Sequence, residues 1–451
     1  MVLEVGRLRG VRTPHLKNTA DHKPEELPLP SEICVPMLMH MGIPAKPVVK
    51  AGDEVKVGQL IGEAGGFLSA PVHSGVSGKV KSVNEVDPFT GQSGMSVTIT
   101  TDGEQTIYEG VSPPEVTNLK EFLEAVRDSG CVGLGGAGFP TAVKLTVRAG
   151  AKIDYIIVNG AECEPYITSD TRTMLDDVEL IREALELLQK YLDVQNIIIG
   201  IEKNKPKAIA SMEGMASEMP GVEVKALPSR YPQGGEKMLI YSTTGRIVPE
   251  GGLPLDVGVL VLNCTTLTAI ARYIKTGMPL VTKCVTVDGS SVKDPKNVIA
   301  IIGTPLRELF DYCGGLDEDN GKILYGGPMM GIALPSLDMP VIKNTNAVLA
   351  FARKDSEPPV QTACIRCGRC IEGCPMKLMA LEIERAYQIK KPELLERHKV
   401  NLCLECGCCA FRCPAARPLI QSIKLSKTML RDHQAALKAA EDKKKEAKMD
   451  E

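Results

Sequence analysis

The sequence contains no tryptophan and only seven phenylalanines among its 451 residues, so aliphatic side chains must fill its hydrophobic cores. It also lacks an unbroken apolar run of about 18 residues, which a membrane-spanning helix needs. The longest apolar runs, at 197–201 and 257–262, have the length of buried strands. Residues 1–10 lack the apolar core of a signal peptide. We therefore expect a cytoplasmic chain that reaches a membrane only through a partner.

The chain also lacks a strong net charge of either sign. Its 53 Lys and Arg residues nearly balance its 56 Asp and Glu residues, for a net charge of −3. That balance argues against nucleic-acid binding. The length suggests roughly two to four domains. Fifteen cysteines are present, and in a cytoplasmic chain they indicate metal ligands rather than disulfides.

The first two-thirds of the chain predicts two domains of different class. Residues 1–110 alternate short apolar runs with Gly and Pro, which predicts a β-rich domain. Its segment 51–83 looks like the barrel-sandwich fold of biotinyl and lipoyl domains, without the lysine that those domains modify. Residues 115–265 alternate strand and helix patterns, which predicts an α/β domain with a parallel sheet covered on both faces. The fold class is therefore multidomain α+β and α/β.

Four further segments follow. Residues 266–335 hold short strands and one helical turn, and they resemble a β-grasp-like (SLBB-type) module. Residues 336–360 are expected to be a linker, and residues 361–425 a helical, cysteine-rich module. Residues 426–451 are rich in Lys, Glu and Ala, which is compatible with a solvated helix or with disorder, and we assign them no function.

Eight of the nine cysteines in the cysteine-rich module form two runs with the same spacing, C-x2-C-x2-C-x3-C-P. Such runs hold 4Fe–4S clusters, and in two-cluster ferredoxins the fourth cysteine of each run ligates the other cluster. A zinc site is the alternative, but zinc takes two CxxC pairs, which this spacing fits poorly. Cys408 is expected to be a packed bystander. The spacing predicts one cluster on Cys364, Cys367, Cys370 and Cys413, and a second on Cys403, Cys406, Cys409 and Cys374.

A glycine-rich loop lies at residues 133–138 and contains a literal GxGxxG. A dinucleotide-binding fingerprint should follow a strand, whereas a helical pattern precedes this loop, so the ordinary interpretation fails. Bare glycines still let backbone N–H groups approach a phosphate or a flat ring closely. Lys144, just beyond the loop, can supply a positive charge.

Four segments, in order along the chain, resemble the flavin-binding 51 kDa subunit of respiratory complex I. They are GLGGAGFPTAVK at 133–144, YIIVNGAECEP at 155–165, YPQGGEKML at 231–239 and VLNCTTLTAI at 261–270. Over roughly residues 5–425, the order of domains resembles the RnfC family, which belongs to the Rnf complexes, membrane-bound ferredoxin:NAD oxidoreductases.

This resemblance implies an oxidoreductase subunit with non-covalent FMN, two 4Fe–4S clusters and NAD(H) as substrate. It would move electrons between clusters supplied from ferredoxin, FMN and NAD(H), and partner subunits would couple this transfer to ion translocation. The implied partners are integral membrane subunits and an iron–sulfur subunit, with ferredoxin acting indirectly and no nucleic acid. The implied location is the cytoplasmic face of the bacterial cell membrane, as a peripheral subunit.

The resemblance also implies site residues, position by position. Phe139 would stack on the NADH base and Glu164 would lie near the nicotinamide. Three family positions differ here, because Leu134, Ala161 and Gly235 replace an arginine, an aspartate and a glutamate. The FMN-holding residues would be Gly133, Gly135, Gly136 and Lys144, with further flavin contacts at Asn159, Glu162, Gly234, Glu236, Asn263 and Thr266.

Two other functions compete with this one. A soluble NADH-dependent flavin and iron–sulfur reductase, such as a cobalamin reductase, would share the flavin and cluster segments. That family begins close to its flavin loop, whereas more than a hundred residues precede Gly133 here. A non-enzymatic electron carrier would explain the cysteine runs, but the four flavin-type segments argue against it.

Overall fold

The structure is a computed structural model that describes residues 9–86, 94–148 and 150–449. Residues 1–8 and 87–93 of the predicted β-rich domain, and residues 450–451 of the predicted tail, lie outside the described residues.

The N-terminal domain consists of two small antiparallel sheets packed face to face. Inward residues alternate with outward ones, as in β2, where Ile33 and Val35 are fully buried between half-buried neighbours. The sheets have the strand orders β2-β8-β7-β4 and β3-β5-β6, while β1 pairs with a later domain. The strands are β1 (Glu25–Glu26), β2 (Glu32–Pro36), β3 (Lys46–Pro47), β4 (Glu54–Val55), β5 (Leu60–Glu63), β6 (Val72–His73), β7 (Gly78–Val86) and β8 (Gly94–Thr101).

The second domain is a four-stranded parallel sheet with helices on both faces, in the order β11-β10-β9-β12. Its central strand β10 is buried at all six positions. The predicted parallel sheet is therefore present. The elements are α1 (Leu119–Asp128), α2 (Thr141–Leu145), β9 (Tyr155–Gly160), α3 (Ser169–Asp176), α4 (Val178–Leu192), β10 (Ile197–Glu202), α5 (Pro206–Ala216), β11 (Val222–Leu227), α6 (Glu236–Thr244), a 3₁₀ turn (Pro254–Val257), β12 (Val259–Asn263) and α7 (Cys264–Thr276).

The third module is a six-stranded mixed sheet in the order β1-β14-β13-β17-β15-β16, so strand β1 of the N-terminal region forms its edge. Helix α8 packs on the sheet through Leu306, Leu309 and Phe310. The elements are β13 (Thr282–Asp288), β14 (Lys296–Ile301), α8 (Leu306–Tyr312), β15 (Asn320–Tyr325), β16 (Ile332–Ala333) and β17 (Ala347–Ala352).

Strand β17 lies inside residues 336–360, where we expected a linker, and this part of the expectation is wrong. Its sequence AVLAFA is buried at all six positions, and it pairs with β13 and with β15. An unbroken apolar run of six residues fits a strand that is covered on both faces better than an exposed connection.

The C-terminal module is helical. Its short helices surround a core that includes Ile383, Leu395 and Ile423. Helix α14 extends from this core through the predicted tail. No helix among the described residues is both long and apolar enough to cross a membrane. Helix α9 (Arg353–Ser356) follows β17 and packs on β15 and β17 of the third module. The elements of the C-terminal module are α10 (Arg369–Gly373), α11 (Ala380–Gln388), α12 (Pro392–Arg397), a 3₁₀ turn (Val400–Leu402), α13 (Cys408–Phe411) and α14 (Leu419–Met449).

Candidate cofactor sites

The glycine-rich loop connects α1 to α2 and closes on itself through its backbone. Gly133 N–H donates to the Phe139 carbonyl at 2.8 Å, and Gly138 N–H donates to the Gly133 carbonyl at 3.1 Å. Gly136 has a φ of +134°, which side-chain-bearing residues rarely adopt. Gly135 and Gly136 are exposed. The tip of the loop therefore presents bare backbone that a ligand can approach closely.

The junction between β12 and α7 packs against the glycine-rich loop and supports it. The Thr266 hydroxyl accepts a hydrogen bond from Leu134 N–H at 3.0 Å. Asn263 caps α7 by accepting from Thr265 N–H and Thr266 N–H. A β-carbon on Gly135 would lie 3.1 Å from the Asn263 side chain. The loop and the cap are therefore in close contact, and a larger residue at 135 would force them apart.

A second set of predicted residues meets beside this loop. Asn159, at the carboxyl end of β9, donates through Nδ2 to the Gly234 carbonyl at 2.9 Å. Lys144 pairs with Glu236 across 2.8 Å. In open α/β sheets, ligands bind outside the carboxyl ends of the strands. This is where the loop, Asn159 and Asn263 converge.

Glu162 is not brought into this group. Its carboxylate accepts hydrogen bonds from Asp170 N–H at 2.7 Å and from the Thr171 hydroxyl, both in the first turn of α3. The positive end of a helix dipole attracts a carboxylate, which accounts for this orientation. Burial raises the pKa of Glu162. The backbone carbonyl of Glu162, rather than its side chain, faces the interior lysines described below.

Glu164 lies where the second domain, which carries the glycine-rich loop and is called the flavin-type domain below, meets the third module. Its carboxylate accepts from the N–H groups of Met329 at 3.1 Å and Met330 at 2.9 Å, and from the Tyr231 hydroxyl at 3.4 Å. Burial raises its pKa to about 7, although these hydrogen bonds oppose the shift. No bound nucleotide is needed to explain the contacts of Glu164.

Phe139, the other residue expected to contact NADH, is half-buried in the glycine-rich loop.

The cysteines of the two runs separate into two groups of four. Cys364, Cys367 and Cys370 line a cavity of about 240 Å³ together with Cys413 from the second run. Cys403, Cys406 and Cys409 line another cavity with Cys374 from the first run, and the predicted bystander Cys408 lines it as well. Each cavity therefore brings together three cysteines of one run and the fourth cysteine of the other, as the spacing predicts, and the ligand assignment stays a prediction.

The donors of both cysteine groups are thiols at separate positions around a cavity. Within residues 9–86, 94–148 and 150–449, no group of three or more His, Cys, Asp or Glu converges on a point that could hold one metal ion. A zinc ion needs four ligands at one point. A cubane is larger and offers each thiolate its own iron, so four spaced sulfurs around a cavity fit a 4Fe–4S cluster.

The second cysteine group packs directly against the flavin-type domain. Leu404, between two of its cysteines, lies 3.8 Å from the position of a β-carbon on Gly235. Cys406 and Cys408 are buried together with Tyr231, and the partly buried Cys163 and Met329 pack against them. The first group is more open, and Cys367 is exposed. The second cysteine group therefore lies against the α/β domain at Tyr231 and Gly235, and the first is more exposed to solvent.

Sequence analysis missed two lysines that hold the segment between β9 and α3. Lys17 donates to the carbonyls of Glu162 at 2.9 Å, of Glu164 at 2.8 Å and of Ile167. Lys205 donates to the Ala161 carbonyl at 2.6 Å. Burial lowers the pKa of Lys17 to about 8. No local pattern marks these lysines, because their acceptors lie far away along the chain.

A second missed contact joins three domains at the glycine-rich loop. Lys343 is fully buried and donates to the carbonyls of Pro71 at 2.6 Å and Gly130 at 2.7 Å. Asn344 donates to the Gly136 carbonyl at 2.6 Å. Burial lowers the pKa of Lys343 to about 7. The N-terminal domain and the third module thus take part in shaping the loop.

Comparison with family models assigns each domain a class. The chain matches the RnfC barrel sandwich hybrid domain at residues 7–104, the Nuo51 FMN-binding domain at 126–272, the SLBB domain at 284–333 and the 4Fe-4S dicluster domain at 360–414. Together with the two sites, these matches define an iron–sulfur flavoprotein with FMN and two 4Fe–4S clusters as cofactors. The predicted multidomain fold class and cofactors are confirmed.

Curated relatives narrow the class to a family. The chain is 42% identical over 374 residues to the C subunit of the proton-translocating ferredoxin:NAD(+) oxidoreductase complex of Clostridium ljungdahlii, covering 82% of this chain and 81% of the relative. It is 39% identical over 426 residues to the Na(+)-translocating counterpart of Acetobacterium woodii, covering 93% and 95%. The C subunit of the ion-translocating oxidoreductase complex of Rhodobacter capsulatus is 38% identical over 428 residues, covering 93% and 82%. The chain belongs to this RnfC family, whose members are parts of oxidoreductase complexes.

Proposed function

We propose that this chain moves electrons between 4Fe–4S clusters supplied from ferredoxin, FMN and NAD(H), as a peripheral subunit of an ion-translocating complex. The observation that carries the proposal is the buried contact between the second cysteine group and the flavin-type domain, at Leu404 and Gly235. A carrier without a flavin would not need this contact. The names of the relatives, which include ferredoxin and NAD(+), support the same function.

The residues at the glycine-rich loop fit FMN. Gly135 and Gly136 offer bare, exposed backbone, and Asn263 fills the space where a side chain on Gly135 would lie. In the proposal, Gly133, Gly135, Gly136 and Lys144 hold the flavin, and Asn159, Gly234, Glu236 and Thr266 shape the surrounding wall. When bound, FMN supplies the conversion between single electrons and the electron pair of a hydride.

The buried contact between the cluster module and the flavin-type domain has a clear physical role. Tyr231, Cys406 and Cys408 exclude water from it, since each is less than a tenth exposed. The Tyr231 hydroxyl reaches Glu164, and the Cys408 thiol donates to the Tyr231 carbonyl at 3.8 Å. Both 4Fe–4S clusters, when bound, supply one-electron chemistry. The chain's own residues keep the second cluster position fixed and dry beside the flavin position.

NAD(H) would approach the exposed side of the glycine-rich loop. Phe139 and Glu164 remain the proposed contacts for the NADH base and the nicotinamide region. Glu164 is held in place by Met329 and Met330, so in this proposal it borders the pocket as a fixed group. With its pKa raised to about 7, it can carry or release a proton near neutral pH.

The proposed partners are integral membrane subunits, which would supply ion translocation, and an iron–sulfur subunit. The proposed location is the cytoplasmic face of the bacterial cell membrane. NAD(H) is a charged cytoplasmic substrate, and thiolate-bound clusters persist best in a reducing compartment.

The test is to purify the chain anaerobically with FMN and to measure iron, flavin and NADH oxidation with ferricyanide. We expect about eight irons, one FMN and NADH-dependent reduction of the acceptor. The chain should pellet with membranes only when it is expressed with its integral partners. A preparation with a full complement of clusters that binds no flavin and does not oxidise NADH would instead support the non-enzymatic carrier.

A further inference from the structure

The two cluster positions differ in how much solvent they meet. In the second group Cys406 and Cys409 are buried, Cys374 and Cys403 are partly buried, and the flavin-type domain covers one side. In the first group Cys367 is exposed, and Cys364, Cys370 and Cys413 are only partly buried. Electron transfer between proteins requires close approach of the cofactors. The first group is therefore the one that an external redox protein could reach.

The charged side chains around the first cysteine group include two arginines that have no carboxylate partner. All three acidic residues of α10 and α11 are engaged in ion pairs with arginines. Arg366 and Arg369 are exposed and form no ion pair with any described residue. These two arginines flank the exposed Cys367, so the side chains of this surface carry positive charge without a carboxylate partner. The pairs are Glu382 with Arg385 at 2.8 Å, Glu384 with Arg417 at 2.7 Å and Glu372 with Arg412 at 3.6 Å.

Apolar side chains surround the same cysteine. Ile365 is 68% exposed and Met379 is 46% exposed, and both line the cavity of the first group. Scattered exposed apolar residues are common on proteins, but here they lie beside the open side of a cofactor position. We call the surface formed by Ile365, Arg366, Cys367, Arg369 and Met379 the entry face.

We propose that the entry face is the docking site for an acidic iron–sulfur protein that exchanges electrons with the first cluster. The proposal rests on the proposed function and deepens it by assigning a surface and a partner chemistry. The unpaired arginines select for negative charge on the partner, and the apolar side chains beside them exclude water on contact. Transient redox encounters bury little surface and depend on steering, so a small face of this kind suffices.

Complementary charge acts mainly on the rate of encounter and is screened by salt. An acidic partner should therefore bind the native chain more weakly as ionic strength rises. Reversing both arginines replaces attraction by repulsion at the centre of the contact. We expect the dissociation constant to rise about tenfold or more at low salt.

The test uses the cluster- and FMN-loaded chain, with a purified acidic two-cluster ferredoxin in its oxidised form as a stand-in for the acidic iron–sulfur partner. Calorimetric titration compares the native chain with Arg366→Glu/Arg369→Glu at low and high salt. Lys46→Glu/Lys50→Glu is the matched control, because it changes net charge equally on exposed lysines of the N-terminal domain. Stopped-flow mixing with reduced ferredoxin gives the corresponding rate of cluster reduction.

We expect the arginine variant alone to lose affinity and rate, while its iron content and its NADH oxidation with ferricyanide stay at native levels. Equal affinity of the arginine and lysine variants would overturn the docking proposal but leave the proposed function intact. A change in the chain's own oligomeric state would also overturn it, since the face would then be a self-contact. If the glutamates lower iron content, Arg366→Gln/Arg369→Gln replaces them, with a smaller expected loss. If the native, cofactor-loaded chain did not oxidise NADH, the proposed function itself would be refuted.

Discussion

Replacing Gly135 by valine tests the flavin site through a contact that can be measured on the structure. A β-carbon at this position would lie 3.1 Å from both Cβ and Nδ2 of Asn263. Asn263 cannot turn away without loss, because it caps α7 and donates to Asp170 at 2.8 Å. Valine adds two further methyl groups to that β-carbon. The glycine-rich loop must therefore move away from the β12–α7 junction.

Overpacking of this kind typically costs about 1–3 kcal/mol. If this free energy destabilises the loop conformation that binds FMN, the dissociation constant for FMN should rise about fivefold to about a hundredfold. The assay is quenching of FMN fluorescence on titration with flavin-free protein. Gly214→Val is the matched control, since it lies in α5 of the same domain and nothing lies within 4 Å of its β-carbon. A Gly135→Val protein that binds FMN with native affinity would show that the site is wrongly assigned.

Three further predictions concern the clusters and the interdomain contacts. Cys413→Ser should lower the iron content from about eight to about four per chain, whereas Cys408→Ser should leave it unchanged, as measured by iron analysis of anaerobic protein. Burial lowers the pKa of Lys343 from 10.5 to about 7, so between these values the unfolded chain binds a proton that the folded chain does not. The thermal stability of the native chain should therefore rise from about pH 7 to about pH 10 relative to Lys343→Met, which should lack this rise. Asn344→Ala removes the hydrogen bond to the Gly136 carbonyl, and we expect it to weaken FMN binding about fivefold with little change in melting temperature, as measured by flavin titration and calorimetry.

Local sequence patterns were sufficient for much of the architecture. The spacing of the two cysteine runs predicted the exchange of Cys374 and Cys413, because the fourth cysteine of each run ligates the other cluster in two-cluster ferredoxins. The strands of the parallel sheet were predicted from short apolar runs between helical patterns. The flavin-type loop was recognised from four segments in order, since each segment on its own carries little information.

Contacts between domains were not predictable from local patterns. Nothing near Lys343 in the sequence indicates that its ammonium group lies between the carbonyls of Pro71 and Gly130. The contact of Leu404 with Gly235 likewise depends on how two separate modules pack. Glu162 was assigned to the flavin site from its position in a motif, but the N-terminus of α3 competes for its carboxylate.

The central claim is that the clusters and the flavin form one electron pathway within this chain, and reoxidation by NAD⁺ tests it most directly. The cluster- and FMN-loaded protein is reduced anaerobically, excess reductant is removed, and NAD⁺ is added while cluster paramagnetic resonance and NADH absorbance are followed. We predict that the cluster signal is lost as NADH forms, and that a Gly135→Val protein depleted of FMN keeps its clusters reduced. Clusters that stay reduced in the FMN-loaded protein, or that are reoxidised by NAD⁺ equally well without the flavin, would contradict the account.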